Sequence, residues 1–182
     1  MEAFAGELRD GVSAMDAALT FAQMLRAKGV VGKFVECFGD GVATLSATQR
    51  ACIANMTPEY GCTCTLFPVD DRTLEYLLLT GRDKEQVALV EAYAKAQGMW
   101  NDGASRVYSE VLELNLSEVE CSLAGPSRPH DRFARNDARS RFNAICADRN
   151  LDMDKRVAVN FMGTEYELTH GAIAIAAVTS CT

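Results

Sequence analysis

An α/β fold, with helices and strands alternating around a layered sheet, is what the sequence predicts. Two observations carry this. Capped, periodic helical segments alternate with short strand-like runs through the first hundred residues, and the composition holds enough apolar chain for a core. The 182 residues are 48% hydrophobic and 24% charged, which suits one ordinary domain or two small ones. That composition excludes collagen, a disordered tail and a coiled coil. No run approaches the roughly 18 apolar residues of a membrane-spanning helix. The longest, Ala172 to Val178, is short enough to be a strand buried on both faces.

In chain order, Ser13 and Asp16 form a capping box, and Ala18, Leu19, Ala22 and Leu25 follow at helical spacing until Gly29 stops the helix. Lys33 to Phe38 is a short strand closed by the Gly39-Asp40-Gly41 turn. Ser46 and Gln49 cap a second helix carrying Ile53 and Met56. Pro58 ends or bends it near residues 55–57, unless it opens a turn of its own. Cys62 to Val69 reads as a strand. Thr73 to Thr80 is a helix stopped by Gly81, and Asp83 with Gln86 caps another that runs to Gly98.

The pattern shifts after Trp100, so the boundary is drawn there: 1–100 as an α/β unit and 101–182 as a connector with strands. Val107 to Leu116 alternates like a strand. Gly125 to Arg141, with two prolines, reads as a surface connector with a helix starting near Asn136. Val157 to Phe161 and Glu165 to Leu168 read as a hairpin.

The charge is acidic, 25 Asp and Glu against 18 Lys and Arg, net −7, which argues against nucleic-acid binding as a main role. The local basic cluster of Arg128, His130, Arg132, Arg135, Arg139 and Arg141 is read as a solvated connector, and both histidines, His130 and His170, as solvated. Seven cysteines at irregular spacing do not suit a disulfide framework and point instead to a reducing compartment, with a thiol available as a metal ligand. The first residues show neither secretory signal nor transit peptide. There is no G-x-G-x-x-G, Walker loop, H-E-x-x-H or C-x-x-C. Cys62 and Cys64 are expected to be structural.

Two places rise above this background. Glu59 lies beside Pro58 and Gly61 at a helix–strand junction, where α/β folds put ligand-binding side chains. Cys181, in Thr179-Ser180-Cys181-Thr182, follows the apolar run directly, a setting that suits a thiolate nucleophile or an iron–sulfur ligand.

Several segments, in order, resemble landmarks of the aconitase family: Gly32-Lys33-Phe34-Val35-Glu36, Ala54 through Gly61, Phe67-Pro68-Val69-Asp70, Leu79 through Asp83, Tyr93 through Trp100, Ser122 through Pro126 and His170 through Thr182. The resemblance is closest to the monomeric branch of bacterial aconitase A, cytosolic aconitase and iron-regulatory proteins. It implies three α/β subdomains around a 4Fe-4S cluster, with a fourth, swivelling domain. Residues 1–100 would be the second subdomain, and 101–182 a connector leading into the cluster-binding strand of the third. It further implies that Cys181 is the first of three cluster cysteines, that Glu59 lines the site near the iron-bound oxygen, and that Asn55 hydrogen-bonds at the cluster's edge.

The implied activity is that of a hydro-lyase of the citric acid cycle, interconverting citrate and isocitrate through cis-aconitate with iron as Lewis acid. The implied setting is the cytoplasm or the mitochondrial matrix. Cys62 stands where the family usually has alanine, and Ser127 where it usually has lysine. The family's remaining cluster cysteines and its catalytic serine and arginines have no counterpart in these 182 residues. The chain alone is therefore expected to be inactive and to work with the remaining aconitase domains. The alternative is an aconitase-derived, non-catalytic subunit of a larger assembly.

Overall fold

The computed structural model describes residues 2–103 and 106–177, and these form two compact units that divide between Ala134 and Arg135. In the first, strands β1 (Glu2–Ala5), β2 (Phe34–Phe38), β3 (Cys64–Leu66) and β4 (Leu112–Asn115) build a parallel sheet in the order β3-β2-β1-β4. The expected α/β class is therefore present. Glu2 pairs with Cys37 on one side and Leu112 on the other, so the first strand lies inside the sheet. Period-two alternation turns Phe4, Val35, Cys37 and Leu114 into the core, with helix α1 (Ala14–Lys28) over that face.

The predicted caps form as read. Ser13 and Asp16 close a full capping box on α1, and Gly29 ends it in the left-handed conformation. Ser46 and Gln49 do the same for α3 (Ala47–Asn55), which follows the short α2 (Asp40–Thr44). The helix predicted at Thr73–Thr80 is α5 (Asp71–Leu79), two residues earlier because Asp70 is its N-cap, accepting from the backbone of Arg72 and Thr73. Asp83 caps α6 (Lys84–Ala96).

Asp70 has a second task. Its carboxylate meets the Arg50 guanidinium in a bidentate pair at 2.8 and 2.6 Å, with Arg50 4% and Asp70 7% exposed. Arg50 also donates to the carbonyls of Val42 and Leu45. One buried guanidinium thus joins the end of α2, the body of α3 and the start of α5.

Three expectations change. The strand expected over Val107–Leu116 is confined to Leu112–Asn115. Tyr108 instead sets its ring, tilted by 35°, against that of Phe38 at 4.8 Å and donates to Glu36. The presumed connector holds a hairpin, β5 (Ser122–Ala124) with β6 (Arg132–Ala134), closed by a loop over 125–131. Asp16 anchors it: one oxygen accepts from Ser13, the other from the Ser122 N–H at 2.6 Å. Burial pushes the Asp16 carboxyl up, but the Ser13 and Ser122 hydrogen bonds and the Arg132 charge outweigh it and hold the pKa below the usual value.

The second unit holds α7 (Ala138–Asp148) and the hairpin β7 (Arg156–Phe161) with β8 (Thr164–Thr169), close to the predicted bounds. The third change is here. Residues 172–177 are not a buried strand; they carry no regular structure, with Ile173 and Ile175 93% and 95% exposed. No strand among the described residues pairs with them, so neither a ladder nor a packed face is available. Val178 lies outside the described residues.

Candidate functional site

Glu59 is held by a single turn, α4 (Thr57–Tyr60), with Pro58 in its first turn and Gly61 ending it at φ 85°. Only glycine adopts that left-handed turn without strain, which is why the chain can reverse immediately into β3. Tyr60 locks the turn from beneath. It is fully buried, its ring meets Phe21 edge-on at 5.4 Å, and its hydroxyl lies 2.6 Å from that of Thr65. Burial pushes the phenol up to about 12, so it stays neutral as a structural anchor. With Tyr60 turned inward, Glu59 is left half-buried in the lining of a cavity.

That cavity is a half-open cleft of about 450 Å³, lined by Arg26 from the end of α1, Pro58 and Glu59 from α4, and Ser127, Arg128, Pro129 and His130 from the β5–β6 loop. Two of its atoms are buried without a hydrogen-bond partner among the described residues: Oε2 of Glu59 and Nδ1 of His130. Groups of this kind are rare in folded proteins because each carries an uncompensated desolvation cost. The loop itself is built: Arg128 N–H donates to the Asp131 carboxylate, Asp131 N–H to the Arg128 carbonyl, and Gly125 N–H to the Asp131 carbonyl. It is tied to α1, where Gln23 donates to the Arg132 carbonyl. His130, read from sequence as solvated, is instead half-buried beside Arg26, and the presumed basic cluster divides between the two units.

The other residues singled out from sequence fall differently. Asn55 ends α3, is exposed, and does not line the Glu59 cavity. Cys181 lies outside the described residues. Among the described residues no three His, Cys, Asp or Glu side chains come together to hold a metal ion, so they do not by themselves supply the donor set of an iron–sulfur cluster. Cys62 is buried, its thiol 3.3 Å from the Cys64 carbonyl, while Cys64 is only partly buried. What sequence reasoning missed is Arg26 and the placing of Arg128, still exposed, and half-buried His130 along one cavity with it. The available signal was Arg26 in the last turn of a capped helix and a Pro126–Pro129 loop too constrained to be a free linker.

Chemically, two guanidiniums, an imidazole and a carboxylate around one cavity can bind an anion and handle a proton. No helix among the described residues is long and apolar enough to cross a membrane.

Comparison with known proteins agrees with the sequence resemblance. The model of the aconitase family (aconitate hydratase) matches residues 3–182. Aconitate hydratase A of Escherichia coli (strain K12) is 51% identical over 181 residues, covering 97% of this chain and 20% of that protein. The enzyme of the same name from Salmonella typhimurium is 52% identical over 182 residues, with 97% and 20% covered, and that from Thermus thermophilus 50% over 189 residues, with 97% and 21% covered. The chain thus spans about a fifth of the length of these relatives. With the match running through the α/β sheet, the Glu59 turn and the β5–β6 loop alike, the chain belongs to the aconitase family.

Proposed function

We propose that these 182 residues are part of an aconitate hydratase that interconverts citrate and isocitrate through cis-aconitate, and that Glu59 is the carboxylate they contribute to its active site. What carries the reading is the buried, unpartnered Oε2 of Glu59 inside a cationic cavity, in a chain about half identical to aconitate hydratases A. A 4Fe-4S cluster, when bound in the whole enzyme, supplies the Lewis acid of the reaction, and Cys181 would hold it by one thiolate. The chain's own part is to present Glu59 on a rigid turn, with one oxygen left to hold or release a proton at the substrate hydroxyl. Asn55, exposed four residues earlier, would hydrogen-bond at the edge of the site once the remaining domains close on it. The remaining domains of the enzyme are the partners this reading requires, and citrate and isocitrate the ligands.

The test is a chimera in which residues 1–182 replace the matching segment of the Escherichia coli enzyme. It should form isocitrate from citrate, and Glu59→Gln should lower kcat by about 10²-fold or more while KM changes little. A folded, cluster-loaded chimera without turnover, or Glu59→Gln with full turnover, would overturn the reading.

A further inference from the structure

We infer that Thr57, Tyr60 and Thr65 are positioning residues for Glu59: their hydroxyls form one chain from β3 through α4 to the end of α3, and that chain aims the Glu59 carboxylate. Their role rests on the reading of Glu59 as a site carboxylate and supplies what holds it in place.

Glu59 cannot aim itself. The turn that carries it, α4, has four residues, too few to be stable on backbone hydrogen bonds alone. Two such bonds frame Glu59: its own N–H donates to the Met56 carbonyl at 3.0 Å, and the Gly61 N–H to the Thr57 carbonyl at 2.9 Å. Its Oε2 has no hydrogen-bond partner among the described residues, so no bond to that oxygen fixes the carboxylate. The direction has to be set from beneath.

Beneath the turn, the Thr57 hydroxyl donates to the Ala54 carbonyl at 2.5 Å. The Tyr60 hydroxyl lies 3.2 Å from that of Thr57 and 2.6 Å from that of Thr65. Making all three bonds at once leaves one arrangement of protons. Thr57 is committed to Ala54, so Tyr60 donates to Thr57 and Thr65 donates to Tyr60. The rival acceptors are farther off: the Ile53 carbonyl is 3.4 Å from the Tyr60 hydroxyl, and the Cys62 sulfur 3.4 Å from that of Thr65. Burial pushes the Tyr60 phenol up to about 12, so its proton stays in place near neutral pH. Tyr60 and Thr65 are both buried, so a broken link is left unsatisfied rather than passed to solvent.

The chain thus fastens α4 at both ends, to α3 through Thr57 and to β3 through Tyr60, with Glu59 between the two. Filling the space against Phe21 needs only an aromatic ring; registering the turn against a strand and a helix needs the hydroxyl as well. Register matters at this point, because a misplacement of about 1 Å at a reacting group can cost about 10²-fold in rate.

The test uses the chimera described above. Tyr60→Phe keeps the ring and removes the middle link, and it should lower kcat about tenfold with KM changed by less than about twofold. In the Glu59→Gln background the same substitution should change kcat by less than about twofold, because no catalytic carboxylate is left to aim. A Tyr60 that only supports the fold would lower kcat by the same factor in both backgrounds. Thr65→Val, which keeps the shape without the hydroxyl, should repeat the loss, and Thr65→Ser, which restores the hydroxyl, should recover it. That pair decides the matter if Tyr60→Phe does not fold. In the 182-residue chain, Tyr60→Phe should speed amide hydrogen exchange at Glu59 and Gly61 about tenfold more than in α1. The positioning role is refuted if Tyr60→Phe or Thr65→Val leaves kcat unchanged, if the loss is equal in the Glu59→Gln background, if Thr65→Ser fares no better than Thr65→Val, or if exchange rises equally in α4 and α1. A chimera slowed by Glu59→Gln but not by Tyr60→Phe would sink the positioning role and leave the proposed function standing. Full turnover in Glu59→Gln itself would overturn the proposed function, and the positioning role with it.

Discussion

Replacing Asp70 by asparagine tests how the site is held in place. Asparagine is as good an N-cap as aspartate, so the start of α5 keeps its acceptor and the change isolates the charge. What is lost is the negative partner of Arg50, whose guanidinium is 4% exposed and fixed by the Val42 and Leu45 carbonyls, so it can neither leave nor find water. Removing one partner of such a pair costs about 3–5 kcal/mol, and the retained cap and amide oxygen put Asp70→Asn at about 3. For a chain of this length that is a fall in Tm of roughly 6–12 °C. Because Arg50 sits in the middle of α3, which ends at Asn55 and leads into the Glu59 turn, the loosening should reach the site. The assay is thermal and urea unfolding of the chain, with a double-mutant cycle through Arg50→Met. The double variant should cost less than the sum of the singles, by about 2 kcal/mol. If Asp70→Asn costs less than about 1 kcal/mol, or the cycle is additive, the pair is not buried in the way described.

Three further outcomes follow from other parts of the molecule. The chain by itself, supplied with iron and sulfide, should form no cis-aconitate from citrate above a protein-free control, since it spans a fifth of its relatives; measurable ultraviolet absorbance of the product would refute this. Gly41→Ala should destabilise by about 2 kcal/mol, because the added Cβ would stand 2.8 Å from the Phe4 carbonyl carbon and 2.9 Å from the Ala5 nitrogen, both backbone, and a urea midpoint equal to the parent's would contradict it. Asp16 should make stability depend on acid: its pKa is depressed in the fold, so its contribution is complete above the usual carboxylate value, about 3.9, and is lost as pH falls through the lower folded value. The difference in urea midpoint between the parent and Asp16→Asn should therefore be constant near neutral pH and shrink below about pH 4, and a difference that persists in stronger acid would refute the assignment.

Local chemistry is what the sequence made legible. The boxes at Ser13–Asp16 and Ser46–Gln49, the stop at Gly29 and the turn at Pro58–Gly61 lie within a few residues of the groups they satisfy, and all are present. The strand at Glu2–Ala5 was not seen, because four residues hold too little alternation; it is a strand because β2 and β4 flank it. Glu59 was picked out from its junction. Its company was not, because Arg26 and Arg128 are about a hundred positions apart and meet only after the β5–β6 hairpin docks on α1 through Asp16 and Gln23. For the same reason the apolar run at 172–177 misled: hydrophobicity says that a segment can be buried, and only a neighbouring strand says that it is.

The order of the sheet bears on how the chain is made. Translation delivers β1 first, β2 about thirty residues later and β4 after more than a hundred, yet β1 belongs between the other two. For most of the synthesis of this segment, a strand destined for the interior of the sheet is therefore an edge, with the flank that will take Leu112–Asn115 bare on the ribosome. Nascent chains paused before Leu112 should be the species that holding chaperones bind and that misassociate when they are absent, and release of the pause should end both at once.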